Sequence, residues 1–245
     1  MAYTERLLTQ GSFLTRFAHG SRYRKTVELA GEVRGAVAID FGCGDGMLLR
    51  RAYDAGVVRG GFGVDNDPSM RESAAKLFAG VDGFRFIDPG ELESAVPPGT
   101  CDLAMCTETL EHVPDANAVL DAIVRHCRPG ACVIITVPIE VGPSLLGKQL
   151  GRYLAALRRP YGYEPYTLSE LFSAAVLWNP RAFDSSHTQP DNLLKAHKGF
   201  DYREIEAALA ARMRIEQTVF SPFPPLLHLL NSTVMWRCRT PERPS

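Results

Sequence analysis

From Ala36 onward, short apolar runs bounded by turn residues alternate with stretches of helical spacing, the pattern of a parallel sheet joined by crossover helices. The runs predict strands near 36–41, 60–64, 83–87, 101–106 and 131–137, with helices near 45–55, 68–78, 91–95 and 115–127. Arg128-Pro129-Gly130 reads as the turn that ends the last of these helices and starts the run Ala131 to Val137. In the first thirty residues, Leu7, Leu8, Phe13, Leu14, Phe17, Tyr23, Val27 and Leu29 are spaced for one or two amphipathic helices. After Pro138 an insert runs to about 196, and in it Leu145, Leu146, Gln149, Leu150, Tyr153, Leu154 and Leu157 form one helical stripe. The rest of the insert is rich in Pro, Tyr and Asn and reads as an irregular, substrate-facing loop. Asp201 to Arg212 reads as a helix, and Arg214 to Phe220 and Thr233 to Arg239 as strands. Joined without a full helix, those strands predict an antiparallel pair on the sheet edge.

Composition narrows the class. The 245 residues, 45% hydrophobic and 22% charged, suit one soluble domain, divided here into an N-terminal helical lid (1–32), a core (33–138), a substrate-covering insert (139–196) and a terminal helix with its strand pair (197–245). A net charge of -1 argues against a nucleic-acid partner gripped through many phosphates. The six cysteines lack paired zinc spacing and read as reduced, mostly buried thiols, which together with the absence of a signal-peptide pattern points to the cytoplasm. Two local clusters qualify the neutral average: Arg16, Arg22, Arg24 and Lys25 near the start, and Lys148, Arg152, Arg158 and Arg159 along the insert stripe. A basic amphipathic helix over 144–159 suits peripheral contact with an anionic membrane or a lid packed on its own domain, and the lid is favoured.

The stretch with chemistry is Val37-Ala38-Ile39-Asp40-Phe41-Gly42-Cys43-Gly44-Asp45-Gly46. An apolar run ending in an acid and three alternating glycines reads as a strand turning sharply into a helix around a nucleotide-type ligand, because glycine tolerates positive φ and close approach. The dinucleotide fingerprint needs a further glycine where Met47 stands, which disfavours a nicotinamide oxidoreductase, and no Gly-Lys-Ser/Thr follows as a P-loop would need.

Taken with Gly63-Val64-Asp65-Asn66-Asp67 ending the next strand, Arg128-Pro129-Gly130-Ala131 before strand five and the terminal strand pair, this turn resembles that of the class I S-adenosylmethionine-dependent methyltransferases. The resemblance runs from about Val33 to Arg239. It implies a Rossmann-like, doubly wound α/β fold with a seven-stranded mixed sheet in the order 3-2-1-4-5-7-6 and an inserted lid after strand five. It also implies S-adenosylmethionine as cofactor, held by Asp40, Gly42, Cys43, Gly44, Gly46, Asp65, Asn66, Asp88, Thr107 and Glu108. Asp65 would accept hydrogen bonds from both ribose hydroxyls, a task suited to a carboxylate with two acceptor oxygens. Asp88 would lie near the adenine, although it comes slightly early, with Gly90 where the family often has its acid.

After strand four, Glu108, Glu111 and His112 would share one face if a helical turn begins just past Cys106. The Glu-x-x-Glu-His string is similar to that of ubiquinone-pathway O-methyltransferases and of small-RNA 2′-O-methyltransferases. In the latter such groups and a later histidine hold a divalent cation. His197, in Ala196-His197-Lys198-Gly199-Phe200, is the best candidate for that histidine and His187 the reserve. Two readings stay open: Glu108, Glu111, His112 and His197 ligate magnesium, manganese or zinc, or His112 or His197, with Glu111 beside them, acts as general base without a metal. Either suits methyl transfer to a hydroxyl of a small or lipid-linked acceptor. The alternatives are RNA 2′-O-methylation, weakened by the near-neutral charge, and a cofactor-binding but non-catalytic partner protein.

Overall fold

The computed structural model describes residues 13–156, 166–180, 197–223 and 231–242. Helix α1 is Phe13–Leu29, followed by β1 (Ala36–Phe41), α2 (Met47–Asp54), β2 (Val58–Val64), α3 (Pro68–Leu77), β3 (Phe84–Ile87), α4 (Leu92–Ala95), β4 (Cys101–Thr107), α5 (Ala116–His126) and β5 (Cys127–Pro138). The insert contributes α6 (Ser144–Ala156) and α7 (Leu168–Ala175), and the chain closes with α8 (Tyr202–Ala210), β6 (Arg214–Ser221) and β7 (Thr233–Arg239).

The central strands read as continuous apolar runs because both faces of the sheet are covered. Ile39, Phe41, Ala104, Cys106, Val133 and Ile135 face one cluster with Leu120 and Ile123 of α5 and Ile205 and Leu209 of α8. Their neighbours Ala38, Leu103, Met105, Cys132 and Ile134 face the other, with Leu29 of α1 and Leu48, Leu49 and Ala52 of α2. The strand order is β3-β2-β1-β4-β5-β7-β6, as the resemblance implied. Strands β1 to β5 are parallel, and β7 runs antiparallel between β5 and β6.

Three expectations change. Strand β5 starts at Cys127, before the Pro-Gly turn: Cys101 pairs with Cys127 and Leu103 with Cys132, so residues between them form a bulge inside the strand. Gly130 takes φ 70° there, and Thr240 ties the bulge shut by accepting from the Ala131 N–H at 2.8 Å and donating to the Arg128 carbonyl at 2.7 Å. Beyond α6, the described residues 166–180 of the insert hold a helix that its composition does not suggest. Thr167 and Glu170 form a reciprocal capping box that starts α7, a short-range signal legible as Thr-x-x-Glu.

Helix α6 is turned the other way from the amphipathic expectation. Leu145 is fully buried, but Leu146, Leu150 and Tyr153 are exposed, while Lys148 and Arg152 point inward to the buried carboxylate of Glu140. A buried charge must be paired, and the pairing with Glu140 takes the inward face of α6 and leaves the three apolar side chains exposed. Leu7, Leu8, Leu157, Arg158, Arg159 and His187 lie outside the described residues.

Candidate active site

Strand β1 has β2 on one side and β4 on the other, so its carboxyl end is the point where the winding of the sheet reverses and a crevice opens. The chain leaves β1 through a tight turn in which the N–H groups of Gly42 and Cys43 both donate to the Val64 carbonyl, at 2.8 and 3.1 Å. Gly42, Gly44 and Gly46 have φ of 70°, 53° and 76°, and Gly46 opens α2. A Cβ at Gly42 would stand 2.2 Å from Thr109 Oγ1, so the turn and the exit of β4 are pressed together. Cys43 is buried in this turn, and burial first, then the charges of Asp40 and Asp65, pushes its thiol far up.

Acids flank the turn. Asp40 is buried and its Oδ1 has no hydrogen-bond partner among the described residues; burial, then the nearby Asp65 charge, pushes its carboxyl well above the usual range. Asp65 Oδ2 accepts from the Gly44 N–H at 2.8 Å and Oδ1 from the Asp67 N–H at 2.9 Å. The cap of α3 is Asp67, not Asp65, with Asn66 exposed between them. Asp88 caps the short turn Pro89–Glu91 and pairs with Arg71 at 3.1 Å. Arg71 also donates to the Asp65 carbonyl at 2.6 Å, which locks the ends of β2 and β3 together. Two neighbouring carboxyl groups, one with an unsatisfied buried oxygen, suit a ligand bearing positive charge, as a sulfonium and an α-ammonium do.

The exit of β4 differs from a helical turn. Thr107 is the last strand residue, and the Glu108 N–H still donates to the Thr136 carbonyl at 2.9 Å. Glu108 then takes φ 51°, which turns its carboxylate to Arg22 of α1 at 3.2 Å and Thr136 Oγ1 at 3.4 Å. A turn closes only from Thr109 to His112, so the three-residue face expected from the spacing does not form. Glu111, His112 and His197 do meet: ligand atoms of the three lie within 4.8 Å of one another, and the two imidazole rings stand 4.9 Å apart. Glu111 is fully buried and neither of its oxygens receives a hydrogen bond among the described residues. Burial, then the Glu108 charge, pushes its carboxyl well up. Burial pushes His197 down to about 4 despite the pull of Glu140, so its imidazole is neutral across the physiological range.

Arg22, Arg71 and Glu140 escaped sequence reasoning as site residues. Arg22 was legible only as one of four clustered cations. Glu140 had a signal, an acid inside the apolar frame Pro138-Ile139-Glu140-Val141. Burial alone would raise its carboxyl, but Lys148 and Arg152 outweigh that and hold it below the usual range.

Residues 15–177 match a family model described as a methyltransferase domain. A ubiquinone biosynthesis O-methyltransferase of Bordetella avium is 30% identical over 139 residues, 57% of this chain and 58% of that enzyme. That of Escherichia coli K12 is 29% identical over 51% of this chain and 52% of its own length, so the chain spans about half the length of the curated relatives it matches. The crystal structure of N-methyltransferase NodS from Bradyrhizobium japonicum with S-adenosyl-L-homocysteine superposes with a TM-score of 0.59 at 12% identity, over 97% of this chain and 96% of that one. An S-adenosylmethionine dependent methyltransferase of Mesorhizobium loti gives 0.58 at 15% identity, covering 89% and 97%.

Proposed function

Because this chain belongs to the class I S-adenosylmethionine-dependent methyltransferases, we propose that it methylates a hydroxyl of a small or lipid-linked acceptor held over Glu111, His112 and His197. The observation that carries this reading is a half-buried imidazole, held neutral by its surroundings, whose ring stands 4.9 Å from that of His112 just past β4. S-adenosylmethionine supplies a methyl group already activated on a sulfonium. The glycine turn wraps the methionine half, Asp65 accepts from the ribose hydroxyls, and the buried Asp40 carboxyl lies at the start of the turn. His197 takes the acceptor's hydroxyl proton as the new C–O bond forms and the C–S bond breaks. Helix α1, tied to Glu108 through Arg22, and the insert act as lids that exclude water.

Calorimetry tests the cofactor assignment. S-adenosylmethionine and S-adenosylhomocysteine should bind and NAD should not, and Asp65→Ala should weaken S-adenosylhomocysteine about ten- to a hundredfold, the worth of one or two hydrogen bonds to a charged group. Preferential NAD binding, or an Asp65→Ala protein that binds like wild type, would overturn it.

A second reading is favoured by the donor set itself. Two imidazoles and a carboxylate that accepts no hydrogen bond among the described residues fit manganese or zinc better than magnesium, with Glu111, His112 and His197 as ligands. Such an ion would supply Lewis-acid activation of the acceptor hydroxyl. Glu108, engaged by Arg22, stands outside this triad.

The lipid-linked acceptor is supported by the outer face of the insert. Leu146, Leu150 and Tyr153 of α6 and Leu168, Phe172, Val176 and Leu177 on and beside α7 are all exposed. Among the described residues no helix is long and apolar enough to cross a membrane. With Lys148 and Arg152 turned inward, adsorption would rest on apolar contact and not on anionic headgroups. Co-sedimentation with zwitterionic phosphatidylcholine vesicles should therefore equal that with anionic ones, resist salt and fall in Leu150→Glu. Absence of sedimentation with either would leave the insert as a lid alone.

A further inference from the structure

Glu140 sits two residues beyond β5, fully buried, and is engaged from two directions. From α6, Lys148 Nζ donates to it at 2.9 Å and Arg152 at 2.9 and 3.3 Å. From the segment before α8, the neutral imidazole of His197 places Nδ1 3.8 Å from the Glu140 Oε1, beyond a hydrogen bond. We infer that Glu140 is a positioning residue for His197, fixing the imidazole's orientation and tautomer while its other contacts fix α6, so that lid and base are set in place together. This rests on the reading of His197 as the proton acceptor.

A negative charge beside Nδ1 favours the tautomer with its proton on that atom, which leaves the lone pair on Nε2 for the acceptor. The same stretch of chain is tied to the insert a second time. Lys198 pairs with Glu170 of α7 at 3.0 Å and lies over the Tyr166 ring at 5.5 Å. The Phe200 N–H closes a turn on the His197 carbonyl at 3.1 Å, leading directly into α8. The segment that carries His197 is thus tied to α7 through Lys198 and to α6 through Glu140. The competing view gives Glu140 the single task of anchoring α6, for which Lys148, also bonded to the Ile139 carbonyl at 2.8 Å, would suffice.

Nitrogen-15 imidazole spectra of the full chain separate the two, with His197 signals identified by their loss in His197→Asn. Wild type should show one tautomer with Nδ1 protonated. Glu140→Leu should mix or reverse it, and Glu140→Asp should restore it. Should Glu140→Leu fail to fold, the double variant Lys148→Met/Arg152→Met keeps Glu140 but frees the lid, and it should shift the same His197 signals. His197 signals unchanged in a folded Glu140→Leu, or in the double variant if Glu140→Leu does not fold, would overturn the proposal. Binding of S-adenosylhomocysteine should stay within about twofold in every folded variant, since none touches the glycine turn. A wild-type chain that does not bind it would sink the methyltransferase mechanism instead, a failure distinct from that of the spectra.

Discussion

Gly42→Ala should both destabilise the protein and abolish cofactor binding. An alanine at φ 70° costs about 1–2 kcal/mol in backbone energy. Its methyl would also meet the Thr109 side chain at 2.2 to 2.9 Å, an overpacking of about 1–3 kcal/mol. Thr109 has little room to yield, because its hydroxyl donates to the Phe41 and Thr107 carbonyls at 3.2 and 3.1 Å. The sum corresponds to a melting point lower by roughly 5–15 °C for a chain of this size. The turn must also open, so S-adenosylhomocysteine should give no heat at concentrations that saturate wild type. Gly80→Ala is the control: φ is 81° but nothing lies within 4 Å of the added methyl, so it should carry the backbone cost alone and bind normally. Equal binding by Gly42→Ala and wild type would mean that the turn is not the cofactor cradle.

The largest effect on turnover is expected at His197. In a radiolabelled methyl-transfer screen against quinol, sugar, polyketide and RNA pools, His197→Asn should lower the rate about a hundred- to ten-thousandfold on whichever pool wild type labels. Calorimetric binding of S-adenosylhomocysteine should be unchanged. With burial holding its pKa at about 4, the imidazole is already in its proton-accepting form at neutral pH, and activity carried by it should decline only as pH falls towards that value. Chelation divides the two chemistries of the site. If Glu111, His112 and His197 hold an ion, EDTA should abolish turnover and manganese restore it. Turnover indifferent to EDTA, with no manganese bound by paramagnetic resonance, would leave the general base. A His197→Asn enzyme as fast as wild type would remove both roles.

What the sequence made legible was short in range. The glycine turn, the acid ending β2 and the apolar runs are local patterns, and the structure puts them at neighbouring strand ends. Glu111, His112 and His197 also meet, although His197 is far along the chain. The arrangement around Glu108 was not legible, because helical spacing ignores the Thr136 carbonyl that keeps the Glu108 N–H in the sheet ladder while Glu108 itself turns left-handed. The orientation of α6 was hidden for a similar reason. Its apolar stripe predicts one face inward, whereas a single buried carboxylate outside the helix selects the opposite one. Asp88 shows how one residue type serves several ends, since its carboxylate is committed to a turn cap and to Arg71.

The buried cysteines near the crevice carry a further consequence. A sulfonium methyl is an electrophile, and the side chain best suited to intercept it is a thiolate. Cys43 lies in the glycine turn itself and Cys106 on β4 beside Asp40 and Glu111. Burial, reinforced by those acids, pushes both thiols far up, so they stay protonated and poorly nucleophilic at any physiological pH. The same acidic, desolvated surroundings that suit a cationic methyl donor thereby protect the site against alkylating itself.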